Sequence, residues 1–140
     1  IEEECRIVAR YGANRGAPSP AELGIEAVTS PELLAAATRA VASVTLSDSV
    51  TDYVVRLVRA TRESPDLSSG ASPRSAVLLA GASRARAALE GRDYVVPDDV
   101  KALAGSVLRH RLLLSPAAEI EGRQVEQLVA QLVEQTEAPR

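Results

Sequence analysis

The sequence contains no Trp, Phe or Met and only three Tyr, so its apolar content has to come from small and aliphatic side chains. Leu, Val, Ile and Ala pack helices closely and rarely line deep aromatic pockets. A single cysteine, Cys5, excludes an intrachain disulfide and fits a reducing compartment. His110 is the only histidine, and with one cysteine it leaves no Cys/His set for zinc; no metal site is expected. No apolar run approaches the roughly 18 residues that span a bilayer, so no membrane role is expected. Basic excess is also missing. Lys101 is the only lysine, and the formal net charge of −3 argues against non-specific nucleic-acid binding. Nowhere is there a G-x-x-x-x-G-K-[ST] phosphate loop.

What is present is helical periodicity in 140 residues, enough for one domain with a modest core. The opening Ile1-Glu2-Glu3-Glu4 is neither a signal peptide nor an initiator sequence. The chain is therefore expected to begin in mid-protein and to be cytoplasmic. A first helix is predicted over Glu2–Tyr11, with Cys5 a small buried residue on it and a loop over Gly12–Pro20. A second starts at Ser30-Pro31-Glu32, with Leu34, Ala37, Val41 and Val44 as its apolar stripe. A third follows Ser47 to about Glu63 on Val50, Tyr53, Val54, Leu57 and Val58.

A fourth helix runs from Pro73 to about Leu89, with a predicted inner stripe of Val77, Leu78, Gly81, Ala82, Ala85 and Leu89. After the extended Tyr94-Val95-Val96, where Tyr94 reads as core, a fifth helix begins at Pro97-Asp98-Asp99 and buries Val100, Leu103, Ala104, Val107 and Leu108. His110 is expected to cap its end. Leu112–Leu114 is a second extended piece, a candidate partner for Tyr94–Val96, and a last helix covers about Arg123–Gln135. The fold class is all-α, a bundle of five to six short helices with at most one minimal two-stranded pairing.

The segment Gly70-Ala71-Ser72-Pro73-Arg74 carries the chemistry. Ser72 suits an N-cap and Pro73 the first helical position. Arg74 then stands beside the positive end of a helix dipole, where a cation is disfavoured unless an anion joins it. A helix start with a guanidinium in its first turn is a phosphate site; the plain alternative is a surface arginine in an ion pair. Arg62 closes the third helix, where the dipole favours it, and a nucleotide or neighbour-subunit contact is its secondary reading.

Three stretches stand in order: Val58-Arg59-Ala60-Thr61-Arg62, Gly70 to Arg74, and Gly91-Arg92-Asp93-Tyr94-Val95-Val96-Pro97-Asp98-Asp99-Val100, followed by Val107-Leu108-Arg109-His110-Arg111-Leu112. Together they resemble the C-terminal helical lid of the MoxR family of AAA+ ATPases. The resemblance implies a single lid domain over 1–140: a helix following the ATPase core at 1–14, the lid proper at 28–122 and a C-terminal helix at 123–136. It implies a core elsewhere in the protein that binds ATP and Mg²⁺ and carries the hydrolysis, which the chain alone does not perform. It gives Arg74 the sensor 2 position, at a helix N-terminus formed by Ser72 and Pro73. The implied partners are that core, neighbouring subunits of a ring, often a hexamer, and clients such as von Willebrand factor A domain proteins or metalloenzymes. Val96 departs from the family's usual threonine before the proline, which removes a hydroxyl cap from the fifth helix. The alternatives are a histone-fold-like dimerisation module and, against the charge balance, a helix-turn-helix DNA binder.

Overall fold

The computed structural model describes residues 1–12 and 19–139. They form seven α-helices, α1 (Glu2–Tyr11), α2 (Pro31–Ser43), α3 (Asp48–Glu63), α4 (Pro73–Leu89), α5 (Pro97–Leu108), α6 (Pro116–Ile120) and α7 (Val125–Gln135). Two short strands, β1 (Leu67–Ser69) and β2 (Leu113–Leu114), pair antiparallel. The chain divides into two compact units, Ile1–Leu34 and Ala35–Arg140, the boundary falling inside α2. Among the described residues no helix is long and apolar enough to cross a membrane.

In the first unit α1 has the predicted bounds, with Glu2, Glu3 and Glu4 in its first turn where the dipole favours acids. Cys5, expected to be buried, is exposed, as are Ile7 and Val8. The loop expected over Gly12–Pro20 lies, for residues 13–18, outside the described residues. A 3-10 turn, Ala21–Leu23, is closed by Gly24 at φ 72°, a left-handed conformation that glycine adopts without steric cost.

In the second unit the core is built around α3. Its Val50, Tyr53, Val54, Leu57 and Val58 are all buried, as their spacing predicts. Ser47 caps it by accepting from the Val50 N–H at 3.3 Å. α4, α5 and α7 pack against it, adding Leu79, Val100, Ala104, Leu108, Val129 and Val133 to one continuous cluster. The Tyr53 hydroxyl lies inside this cluster without a hydrogen-bond partner among the described residues, and burial, followed by the Glu134 charge, raises its pKa.

The helix that carries Arg74 turns its other face to the core. The residues buried on α4 are Ser75, Leu79, Ser83 and Ala87, one every four positions, and Val77 and Leu89 from the predicted stripe are 72% and 89% exposed. Small inward residues let α3 and α5 approach, and the Ser83 hydroxyl is satisfied within the helix by donating to the Leu79 carbonyl at 2.9 Å. The α2 stripe likewise fails: no residue of that helix is buried, although Val44 just beyond it is.

The extended pieces pair differently from expectation. Leu113–Leu114 lies against Leu67–Ser69, with Leu67 opposite Leu114 and an irregularity before Ser69. The Ser68 hydroxyl fills that irregularity by donating to the Leu114 carbonyl at 2.8 Å. Tyr94 instead forms an isolated parallel bridge with Thr45, and the residue is 52% exposed rather than part of the core. His110 is exposed in a 3-10 turn, Arg109–Arg111, that continues from α5; the helix end itself is closed by the Arg109 N–H.

Candidate functional site

The segment from Thr61 to Arg74 is where the sequence motifs converge. α3 ends in Thr61 and Arg62, and the chain returns through β1 and Gly70 to the start of α4. Thr61 is 1% exposed on the apolar phase of α3, four residues after Leu57. Its hydroxyl donates to the Val58 carbonyl at 2.7 Å and accepts from the Ala71 N–H at 2.9 Å. Arg62 Nη1 donates to the Ala71 carbonyl at 2.8 Å. Both backbone groups of Ala71 are thereby held by consecutive side chains of α3. Gly70 lies so close to this turn that a Cβ there would stand 2.6 Å from the Thr61 carbonyl oxygen and 2.7 Å from Arg62 Cα.

Arg74 follows three residues after Ala71, in the first turn of α4. Among the described residues it is exposed and makes no hydrogen bond or ion pair. Every other α-helix carries at least one acid in its first turn; α4 carries none. Ser72 holds the N-cap position with extended backbone, φ −77° and ψ 165°, but its hydroxyl makes no capping bond. That corrects the expected cap. In the two other Ser-Pro helix starts the serine does cap: Ser30 accepts from Leu33 N–H at 3.2 Å and Ser115 from Ala118 N–H at 3.4 Å. Pro73 occupies the first helical position and contributes no N–H. Among the described residues the α4 start thus offers an uncommitted guanidinium and a hydroxyl that makes no cap, at the positive end of a 17-residue helix.

Arg62, read from sequence as a dipole cap with a nucleotide contact as its secondary reading, is committed to the Ala71 carbonyl. Thr61 was not singled out as a candidate. The signal available for it was a hydroxyl residue at the apolar phase of α3, where every other member is Val, Leu or Tyr.

At the far end of α4 a second arginine cluster is fully paired. Asp99, 1% exposed, receives both arms of Arg92, Nη1 to Oδ2 at 2.8 Å and Nη2 to Oδ1 at 2.7 Å. Arg86 adds its charge at 3.3 Å, and Glu90 bridges Arg92 and Arg86 at 2.7 and 3.1 Å. Asp99 Oδ2 also accepts from the Val96 N–H at 2.9 Å. This is half of a capping box: the third helical position holds the Val96 N–H, and valine has no acceptor to return to the first-turn N–H groups. Hydrogen bonding from Arg92 holds the Asp99 carboxyl below its ordinary range against its burial, and the same bonds raise Arg92. Asp98 and Asp99 both stand in the first turn of α5, where the dipole favours acids; Asp98 is exposed near Lys101 at 3.5 Å, and Asp99 in addition anchors the two arginines.

Among the described residues no three His, Cys, Asp or Glu side chains gather to hold a metal ion.

The AAA lid domain family matches residues 59–132, a span that contains both arginine clusters. The uncharacterised protein YeaC of Bacillus subtilis is 41% identical over 101 residues, covering 72% of this chain and 32% of that protein. The protein MoxR of Methylorubrum extorquens is 44% identical over 71 residues, 50% of this chain and 21% of that protein. The chaperone MoxR1 of Mycobacterium tuberculosis is 45% identical over 73 residues, 46% of this chain and 19% of that protein. The chain thus spans about a third or less of the length of these curated relatives. A crystal structure of a provisionally assigned ATPase from Cytophaga hutchinsonii superposes on the whole chain and 44% of its own, with a TM-score of 0.76 at 26% identity. These matches replace the histone-fold-like alternative, and the chain belongs to the AAA lid domain family, as the helical lid of a MoxR-like AAA+ ATPase.

Proposed function

We propose that this lid closes over ATP bound by an ATPase core of the same protein, and that Arg74 is its sensor 2 arginine. The observation that carries the reading is the state of Arg74: exposed, unpartnered among the described residues, and placed where the helix dipole opposes it. A cation at a helix start costs about 0.3–1 kcal/mol, and that cost is offset when a phosphate oxygen joins it. The γ-phosphate is the charge that differs between ATP and ADP, so an arginine held on the lid and reaching it makes lid position depend on nucleotide state. In a ring, expected to be a cytoplasmic hexamer, the same movement alters the contacts each lid makes with its neighbour. Clients such as von Willebrand factor A domain proteins or metalloenzymes would feel that change. Hydrolysis belongs to the core, which would hold Mg²⁺, position the water and bind the α- and β-phosphates.

The test is ATP turnover and ATP affinity of the full-length protein with and without Arg74→Ala. Loss of a charge-assisted donor to the reacting phosphate is expected to reduce turnover by about 10- to 100-fold with folding retained. Unchanged turnover and affinity would reduce the α4 start to an ordinary helix terminus.

A further inference from the structure

We propose that Thr61, Arg62 and Gly70 form a latch whose role is to position Arg74, and that the end of α3 and the start of α4 move as one body because of it. The proposal rests on the sensor reading of Arg74 and deepens it. Three independent contacts meet at Ala71. Its N–H is received by the Thr61 hydroxyl at 2.9 Å, its carbonyl is held by Arg62 at 2.8 Å, and its side chain is fully buried. The Thr61 hydroxyl has no freedom to release the loop, because its proton is committed to the Val58 carbonyl at 2.7 Å. With the proton placed there, its lone pairs face the Ala71 N–H.

Gly70 makes the approach possible. A Cβ at this position would meet the Thr61 carbonyl oxygen at 2.6 Å, Arg62 Cα at 2.7 Å and Arg62 Cγ at 2.7 Å. Two of those atoms are backbone and cannot swing aside, so any side chain at residue 70 moves the loop away from α3. Glycine is needed here for space.

The latch stands immediately before a helix whose own N-cap hydroxyl is idle. At Ser30, Ser47 and Ser115 a serine fixes the first turn from within; at Ser72 it does not, and the backbone entering α4 is fixed from α3 instead. An arginine in the first turn is placed by the angle at which its helix starts. A displacement of about 1 Å at such a site costs on the order of 100-fold in rate. Thr61 and Arg62 are therefore positioning residues: they act on the phosphate through Arg74.

The experiment is a double-mutant cycle in the full-length protein, with ATP turnover, ATP affinity and Tm measured for Thr61→Val, Thr61→Ser, Arg74→Ala and the Thr61→Val/Arg74→Ala pair. Thr61→Val keeps the shape and removes the hydroxyl. It is expected to lower turnover by at least about fivefold where Arg74 is present and to have no further effect where Arg74 is absent. Thr61→Ser is expected to restore turnover, because the donor and acceptor return. Tm should fall by the same amount in both backgrounds, since folding does not pass through Arg74. Equal turnover losses with and without Arg74, or no loss in a folded Thr61→Val, would overturn the latch while leaving the sensor role intact. A silent Arg74→Ala would instead overturn the sensor reading itself.

If Thr61→Val does not fold, Arg62→Ala takes its place, since that side chain is exposed and outside the core cluster. A loss that vanishes in the Arg74→Ala background supports the latch. A loss that adds to that of Arg74→Ala overturns it for Arg62.

Discussion

The two ends of α4 treat arginine in opposite ways. At the C-terminal end Arg86 and Arg92 converge on a buried carboxylate and share Glu90, so every positive charge is matched. At the N-terminal end Arg74 points at none of the described residues and stands in a turn with no acid. One helix, about 25 Å long at a rise of 1.5 Å per residue over its 17 residues, therefore joins a closed electrostatic knot to an open charge. The knot fixes where α5 starts, through the bond from the Val96 N–H to Asp99. The open end is the part with spare interaction capacity. Partnering, more than residue type, separates an arginine that holds a fold from one available to a ligand.

If the middle of α4 only connects these ends, its inner and outer faces should differ sharply in stability. Leu79 is completely buried and Val77 is 72% exposed. Leu79→Ala is expected to destabilise the domain by about 3 kcal/mol, and Val77→Ala by less than about 0.5 kcal/mol, in urea unfolding. Comparable losses would mean that the face predicted from hydrophobicity is the packed one.

The closed end should come next. Asp99→Ala leaves Arg92 and Arg86 without their central anion, and a loss of about 2–3 kcal/mol is expected. That is less than for a fully enclosed pair, because Arg92 is partly exposed and keeps Glu90. A shift in the urea midpoint with an unchanged slope would confirm it. Arg92→Lys should recover only part of the loss seen for Arg92→Ala, since one ammonium cannot make the two parallel bonds to Asp99.

Acid should open the same knot. The Asp99 carboxyl is held below its unfolded value, chiefly by hydrogen bonds from Arg92. A depressed carboxylate contributes its full stability above the unfolded pKa, about 3.9, and loses it as pH falls through the folded value. The urea midpoint should therefore fall steeply with acid below about pH 4. Asp99→Asn should flatten that segment while already being less stable at pH 7. An acid slope unchanged by Asp99→Asn would place the sensitivity on another carboxylate.

These contrasts also explain which features could be read from the sequence. Helix bounds for α1, α3 and α4 follow from local signals: acids in a first turn, a serine cap, a proline at the first position, a glycine beyond the end. The inner face of α3 follows because its apolar residues are large and periodic. The inner face of α4 does not follow, because tight packing selected Ser75, Ser83 and Ala87 over the larger Val77 and Leu78. Burial of apolar residues is a one-way rule, and a helix that leaves apolar surface outward defeats it. The pairing of β2 with β1 instead of Tyr94–Val96 is a tertiary outcome of where α3 ends, with no local signature in Leu112–Leu114. The ion pair of Asp99 has no local signature, because its partner Arg92 lies across a turn, seven residues away. Arg74 stands out as a candidate because its position breaks a local rule with no compensation among the described residues.

The smallest effect expected on stability is that of Arg74→Ala. The side chain is exposed, has no partner among the described residues and sits at the unfavourable end of the dipole. Its removal should leave stability within about 0.5 kcal/mol of the original, shifted if anything upward, because a repulsion is relieved and alanine is a good helix former. A structural ion pair could not behave this way: breaking one lowers the urea midpoint. A near-zero change in urea unfolding would set Arg74 apart from Asp99 and Arg92 as a charge the fold does not use. Together with a loss of ATP turnover in the full-length protein, it would assign that charge to the nucleotide. A destabilisation approaching that of Asp99→Ala would instead show that the open end is held by a partner after all, and the two ends of α4 would cease to differ in kind.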